Sequence, residues 1–414
     1  MFKNVYPREK YLAKIRPFYN SDIIKIITGI RRCGKSFILK AIMNELLSKG
    51  ISETQIIYIP LDKRGFMNIK TPDELEKKIE SMTQSATNPY LFIDEIQSVK
   101  GFEKIIHAYA EEGFSIFLTG SNSYLLSDEI STKLTGRYLN FETYTLDFSE
   151  YIDMKKFMNK EINSDLYSEF EEFMLMGGFP KSLEFDSDSA RQTYTRGIIS
   201  EIFEKDIKKR KKISNIPVYE RVQSFLLNNY AAPFSLNSLL DCLKHEGYKT
   251  KAATVRGYIE ELKKAKIIYE CNRFDLKSKK SLAREQKYYL ADLSIYFATN
   301  TDNRLSFGTS LENLVYLYLA SNDYRVSIGK IGKFECDFIT RNPKNEYAYI
   351  QVTYTLQGES IESSKRIKER EYRPFREIHD GYPRYIISLD RFRDTQEGVH
   401  HINAIDLFLH KETI

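Results

Sequence analysis

Cysteine is scarce in this 414-residue chain. The four that occur, Cys33, Cys242, Cys271 and Cys336, lie too far apart for metal-ligand spacing or a disulfide framework, which points to reduced thiols and a cytoplasmic setting. Long apolar runs are missing: none approaches the roughly 18 residues that cross a bilayer. The stretch from Met1 to Arg16 is polar and mixed in charge and lacks the apolar core of a signal peptide, so no membrane partner is expected. An excess of one charge is missing too: 62 basic residues against 57 acidic ones leave +5, which permits a nucleic-acid partner without requiring one. Periodic repeats are absent, which argues against architectures built on sensor repeats. What is present, 13% aromatic residues among 29% charged ones, describes a folded chain long enough for two or three domains.

The strongest pattern is Gly29-Ile30-Arg31-Arg32-Cys33-Gly34-Lys35-Ser36. An apolar segment, Ile23-Ile24-Lys25-Ile26-Ile27, precedes it and reads as a strand. Phe37-Ile38-Leu39-Lys40-Ala41-Ile42 follows and reads as a helix. Strand, glycine loop and helix in that order make a phosphate-binding loop. Gly29 and Gly34 let the backbone curl around an anion, and the loop N–H groups with the helix N-terminus point at phosphate oxygens. Lys35 is expected to reach the outer phosphates of ATP and Ser36 to hold Mg²⁺. Residues 29–37 are thus the candidate nucleotide contacts.

Further strand ends carry polar groups. Gln55-Ile56-Ile57-Tyr58-Ile59 reads as a strand, and Thr71-Pro72-Asp73-Glu74 opens a helix as cap, first-turn proline and capping glutamate. Tyr90-Leu91-Phe92-Ile93-Asp94-Glu95 is an apolar strand closed by two carboxylates, 59 residues after Lys35. Asp94 suits a magnesium site, and Glu95 suits polarising the attacking water. Phe114 to Asn122 is another strand. At its end Ser121 or Asn122 can bond the lytic water or the outer phosphate, or else simply turn the chain into the next helix. In Leu134-Thr135-Gly136-Arg137, Arg137 can reach a phosphate in its own site or a neighbour's, because its planar fork grips phosphate at two points; a surface ion pair is the alternative.

Beyond residue 148 the pattern turns helical. Ser149 is the expected cap of the first helix, Gly177-Gly178-Phe179-Pro180 interrupts the second, and residues 189–207 continue as a third. The basic run 208–212 suits either phosphate contacts or a solvated helix end. Helices at 218–227, 235–244 and 251–264, then strands at 267–271 and near 288–290, outline a winged helix. Its wing is expected to carry Lys277, Lys279, Lys280, Arg284 and Lys287, and its third helix to present Lys249, Lys251, Thr254 and Arg256 to a DNA groove or to a protein. A helix at 310–320, strands near 324–328, 334–340, 346–353 and 384–389, and helices at 361–370 and 403–410 form a last α/β layer.

Taken together these motifs resemble prokaryotic AAA-like P-loop ATPases with a C-terminal DUF4143 domain. The resemblance rests on the phosphate loop, Leu91 to Gln97, Thr119-Gly120-Ser121-Asn122-Ser123, Leu134 to Tyr138, Gly177 to Pro180, Arg273-Phe274-Asp275-Leu276-Lys277, Leu311-Glu312-Asn313-Leu314-Val315-Tyr316 and Glu335-Cys336-Asp337-Phe338. It implies an α/β fold: an AAA-type core with a parallel sheet, a helical lid, a winged helix and a restriction-endonuclease-like C-terminal domain. It gives Lys35, Ser36, Asp94 and Glu95 the roles named above, puts Ser121 or Asn122 at the sensor position, and makes Arg137 a recurrent arginine. The expected boundaries are 1–148, 149–212, 213–300 and 301–414.

In a nuclease of that C-terminal fold, acids hold Mg²⁺ and a lysine follows the second acid by two residues. Glu312 and Asp337 fit, but Gln351 and Thr353 stand where the second acid and the lysine belong. A degenerate domain kept for binding or assembly is therefore expected, with the acids bonded to neighbouring strands and to basic residues of the helix at 361–370. The sequence thus reads as an ATP-binding, ATP-hydrolysing protein acting on or near nucleic acid, with duplex DNA and a second copy or partner protein as candidate partners. The alternatives are a nucleotide-switched scaffold without DNA contact and a Mg²⁺-dependent nuclease.

Overall fold

The computed structural model describes residues 2–83, 88–120, 136–208, 213–278, 280–300, 307–393 and 395–414, and of residues 281–284 the backbone only. The chain divides into two compact units, Met1–Tyr144 and Thr145–Ile414.

In the first unit, β1 (Ile24–Gly29), β2 (Ile56–Pro60), β3 (Tyr90–Asp94), β4 (Ser115–Thr119) and β5 (Tyr138–Thr143) form a sheet in the order β2-β3-β4-β1-β5. Every pairing is parallel. A parallel sheet is covered on both faces, which is why β1, β3 and β4 are near-continuous apolar runs. Ile24, Ile26, Ile59, Leu91, Ile93, Ile116 and Leu118 face one buried cluster, shared with Leu75 and Ile79 of the helix Pro72–Thr83. Ile27, Phe92 and Phe117 face the other, shared with the helix Lys35–Ser48. Tyr11, Leu12 and Ile15 of the helix Glu9–Ile15 pack into that second cluster, and Arg16 ties that helix down by donating to Glu45 at 2.6 Å. The helix at 72 begins as expected: Thr71 and Glu74 exchange bonds, Glu74 N–H to Thr71 Oγ1 at 3.4 Å and Thr71 N–H to Glu74 Oε2 at 3.0 Å. The strand β5 has no counterpart in the sequence reading. Its side chains are mostly half-buried, so it carries no apolar run, and its pairing with β1 is a matter of backbone register.

The second unit opens with helices Phe148–Phe157, Leu166–Met176 and Asp188–Ile202. The first is capped by Asp147, whose carboxylate accepts the Glu150 N–H at 2.9 Å, and not by Ser149. Helices Ile216–Asn228, Leu236–His245 and Ala252–Lys264 follow, then the antiparallel pair β6 (Ile268–Asp275) and β7 (Lys280–Leu290). The bridge between Pro233 and Lys287 ties the turn after the first of these helices to the hairpin. The hairpin is not free-standing. It continues through β8 (Arg325–Ile331), β9 (Phe334–Arg341), β10 (Tyr347–Val352), β11 (Arg384–Ser388) and β12 (Val399–Asn403) in one sheet ordered β12-β11-β10-β9-β8-β6-β7, which runs across residue 300. The helices Phe307–Ser321 and Ile361–Arg376 belong to this unit. Among the described residues no helix is long and apolar enough to cross a membrane.

Candidate functional site

The phosphate loop leaves β1 at Gly29 and enters its helix at Lys35. Three of its residues have positive φ: Gly29 at 147°, Arg32 at 70° and Gly34 at 107°. A Cβ at Gly29 would lie 2.1 Å from the Thr143 carbonyl oxygen, so the close approach of β5 admits no side chain there. Ile30 and Cys33 are buried, Arg31 and Ser36 half-buried, and Arg32 and Phe37 exposed. Burial raises the Cys33 thiol above its ordinary range, against the opposing pull of Lys35 and Arg8, so this cysteine packs the loop rather than reacting. Arg8, which the sequence reading passed over, braces the loop from the start of the helix Glu9–Ile15: its guanidinium donates to the carbonyls of Cys33 at 3.0 Å and Tyr144 at 2.8 Å.

Lys35 is only 8% exposed. Its ammonium donates to the carbonyls of Gly29 at 2.9 Å and Ile30 at 3.2 Å, and among the described residues no carboxylate is paired with it. A buried cation held by neutral oxygens alone is short of negative charge, and an anion fits the loop that holds it.

Asp94 ends β3, buried, with one carboxylate oxygen accepting from the Thr119 hydroxyl and the other from the Tyr58 hydroxyl at 3.4 Å. Burial and Asp94 together push the Tyr58 phenol well up, which keeps it a donor. Glu95 sits in the left-handed region at φ 59°, ψ 46°. Its N–H donates to Thr119 Oγ1 at 3.1 Å and its carboxylate accepts from the Gln97 amide. Thr119, at the end of β4, therefore links both acids, and sequence reasoning missed it because it looks beyond the apolar run to Ser121 and Asn122. Those two lie outside the described residues, as do 209–212 of the basic run.

Arg137 stands elsewhere. It precedes β5 at the end of the sheet where β1 begins: Ile24 N–H donates to the Arg137 carbonyl at 3.0 Å, and Ile24 pairs with Tyr138. The phosphate loop follows the other end of β1, about 17 Å away at ~3.3 Å per residue. The exposed Arg137 guanidinium pairs with Glu111 at 2.6 Å and holds that carboxyl below its usual range. The structure does not bring Arg137 to its own loop.

In the second unit, Lys249, Lys251 and Arg256 are exposed at the start of the helix Ala252–Lys264, without ion pairs among the described residues, and Thr254 is half-buried. Lys277 and Lys280 are exposed, whereas Lys279 and the Arg284 side chain lie outside the described residues. Lys287 is a correction to the expected wing: it is 3% exposed and paired with carboxylates. The candidate acids gather around it rather than around the helix Ile361–Arg376. Glu312 and Asp337 are pushed above the ordinary carboxylate range by burial, against the pull of Lys287. Gln351 accepts the Asp337 N–H at 3.3 Å, so its amide oxygen is already engaged by backbone. Thr353 is buried, its hydroxyl donating to the Thr355 carbonyl at 3.3 Å. Among the described residues no group of three His, Cys, Asp or Glu is arranged to hold a metal ion.

Comparison with known proteins agrees with the first unit and corrects part of the second. An AAA domain model matches residues 21–152. The model matching residues 167–305 is a domain of unknown function, DUF8612, and not DUF4143; it covers helices and the β6–β7 hairpin rather than the last strands. An uncharacterised protein of Haemophilus influenzae is 30% identical over 99% of this chain and 100% of its own length. An uncharacterised protein of Methanocaldococcus jannaschii is 29% identical over 98% and 92%. Among solved structures, the Walker-type ATPase of Pyrococcus abyssi superposes with a TM-score of 0.50 at 18% identity, covering 71% of this chain and 95% of its own, a likeness of fold. With a P-loop core matched as an AAA domain and a relative alike along its whole length, the chain belongs to the family of the Haemophilus influenzae protein, AAA-type P-loop ATPases with a second, uncharacterised C-terminal domain.

Proposed function

We propose that the chain binds ATP with Mg²⁺ at residues 29–37, hydrolyses it, and acts on or near nucleic acid. The carrying observation is Lys35, a buried ammonium whose partners among the described residues are carbonyls. Magnesium-bound ATP would bring a phosphoanhydride whose outer phosphate is open to attack by water. The loop N–H groups and Lys35 would hold phosphate oxygens, Ser36 and Asp94 would hold the cation, and Glu95 would take the proton of the attacking water as the bond from the outer phosphate to ADP breaks. Thr119 keeps the two acids apart in role by donating to Asp94 while accepting from the Glu95 backbone. Ser121 or Asn122 remains the candidate for contacting the outer phosphate.

Arg137 serves a neighbouring copy's nucleotide in this proposal, since the sheet separates it from its own. An arginine supplied in trans is worth roughly 10³–10⁵ in rate in other P-loop enzymes. The nucleic-acid part is supported by Lys249, Lys251 and Arg256, exposed cations of one sign at a helix start. The test is equilibrium binding of a fluorescent ATP analogue and of labelled duplex DNA. Lys35→Ala is expected to weaken nucleotide binding at least ~100-fold, because it leaves the phosphates without their charge-assisted donor. A triple Lys249→Ala, Lys251→Ala, Arg256→Ala variant is expected to weaken DNA binding and flatten its salt dependence, by about one unit of slope per lost phosphate contact. Unchanged nucleotide affinity in the first variant contradicts the ATP site; unchanged DNA affinity in the second contradicts the DNA surface.

A further inference from the structure

Positive charge gathers at one end of the sheet in the second unit. β6 ends there at Asp275, β7 begins at Lys280, β8 ends at Ile331 and β9 begins at Phe334, on neighbouring strands ordered β9-β8-β6-β7. Register sets Lys280 opposite Asp275, Asp275 opposite Lys330, and Lys330 opposite Glu335, so these four stand in one row on one face. Lys277 and Lys333 lie in the two turns that join the strands. Arg373 comes from the helix Ile361–Arg376. Its guanidinium carbon lies 4.5 Å from the centre of the Phe334 ring, and Lys333 Nζ lies 5.6 Å from the same centre.

Lys277, Lys280, Lys333 and Arg373 are exposed and Lys330 is half-buried, and none of them has an ion pair among the described residues. The carboxylates of the row are engaged otherwise. Asp275 closes the hairpin turn, its Oδ1 accepting the N–H of Lys277 at 2.9 Å and of Ser278 at 3.4 Å. Glu335 accepts from Arg273 and pairs with Lys287 at 2.9 Å. Arg373 and Lys333 converge on a ring rather than on an acid, and a ring face attracts a cation without cancelling its charge. Cations gathered from strand ends, turns and a helix repel one another, and a polyanion removes that repulsion. The three gaps between four strands, at ~4.8 Å each, make the row about 14 Å long. One strand of a duplex offers a phosphate every ~3.4 Å of axis, so the row spans about four phosphates. A membrane surface fits poorly, because interfacial binding inserts exposed apolar side chains and Phe334 is half-buried beside two cations. We propose that this sheet end grips the phosphate backbone of duplex DNA, a contact that rests on the nucleic-acid reading and extends it from the helix start at Ala252 to the β8–β9 turn and the helix Ile361–Arg376.

The test measures binding of the full chain to a labelled mixed-sequence duplex by fluorescence anisotropy from 50 to 200 mM salt. The rim variant is Lys277→Gln, Lys280→Gln, Lys333→Gln, all exposed positions, with the fold checked by circular dichroism. A control variant, Lys156→Gln, Lys181→Gln, Lys344→Gln, removes the same charge from exposed positions elsewhere in the unit. The rim variant is expected to bind ~10- to 100-fold more weakly at 100 mM salt, with a salt slope shallower by about two to three units, and the control to change less than ~3-fold. A rim variant that binds like the unchanged chain, while Lys249→Ala, Lys251→Ala, Arg256→Ala weakens binding, overturns the rim and leaves the nucleic-acid reading standing. No duplex binding by the unchanged chain at 50 mM salt overturns both. Equal losses in the rim and control variants overturn the rim as a site. So does a rim variant that loses binding to phosphatidylserine vesicles or to polyglutamate while keeping the duplex.

Discussion

Lys25 lies within β1 and Lys35 opens the helix after it; both are buried, and they do opposite things. Lys35 waits in a loop shaped for an anion, whereas Lys25 spends its charge on packing. The Lys25 ammonium donates to Ser21 O at 3.0 Å and Ser115 Oγ at 2.9 Å and lies over the Phe117 ring. Burial lowers it to about 7, with Asp22 pulling the other way. The folded chain therefore releases this proton near pH 7, while the unfolded chain keeps it until about 10.5. Between those values the unfolded state binds more protons, so stability rises with pH across the window. Lys25→Met removes that dependence. Its melting temperature is expected to exceed that of the unchanged chain most at pH 6–7, by the equivalent of about 1–3 kcal/mol, and least above pH 9. A constant difference from pH 6 to pH 10 would show that Lys25 is not the group responsible. In sequence, Lys25 is an oddity inside an apolar strand. Nothing there says that its partners are a carbonyl and a serine from two other segments.

At the scale of elements, the parallel strands carry the candidate site residues at their ends, and the sequence made most of that arrangement legible. β1, β3 and β4 are apolar because both their faces are covered, and polar residues begin where cover stops. β5 escaped because an edge strand needs no apolar run. The bonding between strand ends escaped as well: Thr119 looks like the last residue of a strand, yet it joins Asp94 to the backbone of Glu95. Thr119→Val keeps the shape and removes the hydroxyl. It leaves the Glu95 N–H unpaired, at a cost of about 1–3 kcal/mol. If that cost falls on the geometry of turnover, kcat for ATP should drop ~10- to 100-fold while nucleotide affinity changes less than ~3-fold. Steady-state kinetics beside equilibrium binding checks this. Equal losses in both would mean that Thr119 serves binding. Gly177-Gly178 illustrates the same lesson in the second unit. It reads as a helix break, and it is also a pairing site: Gly178 accepts from the Leu146 N–H at 2.8 Å, donates to the Asp292 carboxylate at 2.8 Å, and has Leu146 O where a Cβ would stand.

At the scale of the whole molecule, the role proposed for Arg137 on a neighbouring copy's nucleotide requires an active unit larger than one chain. Arg137→Ala and Lys35→Ala should each abolish turnover alone. Mixed, they should recover part of it, because one copy supplies the intact loop and the other the intact arginine. Recovery should grow with total protein concentration and fail if Arg137 is only the surface partner of Glu111. The C-terminal sheet was the least legible part of the chain. Most of its strands follow from apolar alternation, though β12 has no counterpart in the sequence reading, and the joining of the hairpin to β8 through β6 depends on pairs such as Arg273 with Ile328, far apart in the chain, which no local pattern records. Lys287 is the clearest case. Among Lys277, Lys280 and Arg284 it reads as one more solvated cation of a wing, and its burial beside Glu312, Glu335 and Asp337 is set by the sheet alone.

The proposed hydrolysis of ATP by the first unit has Glu95 as its base. Its most direct test is single-turnover hydrolysis of radiolabelled ATP by the unchanged chain and by Glu95→Gln, at saturating protein with Mg²⁺, with and without duplex DNA. The change removes one ionisable oxygen and little volume. Nucleotide binding should be kept within ~3-fold and the chemical step slowed at least ~100-fold in both conditions. Hydrolysis by Glu95→Gln at the rate of the unchanged chain, with binding intact, would show that Glu95 is not the base.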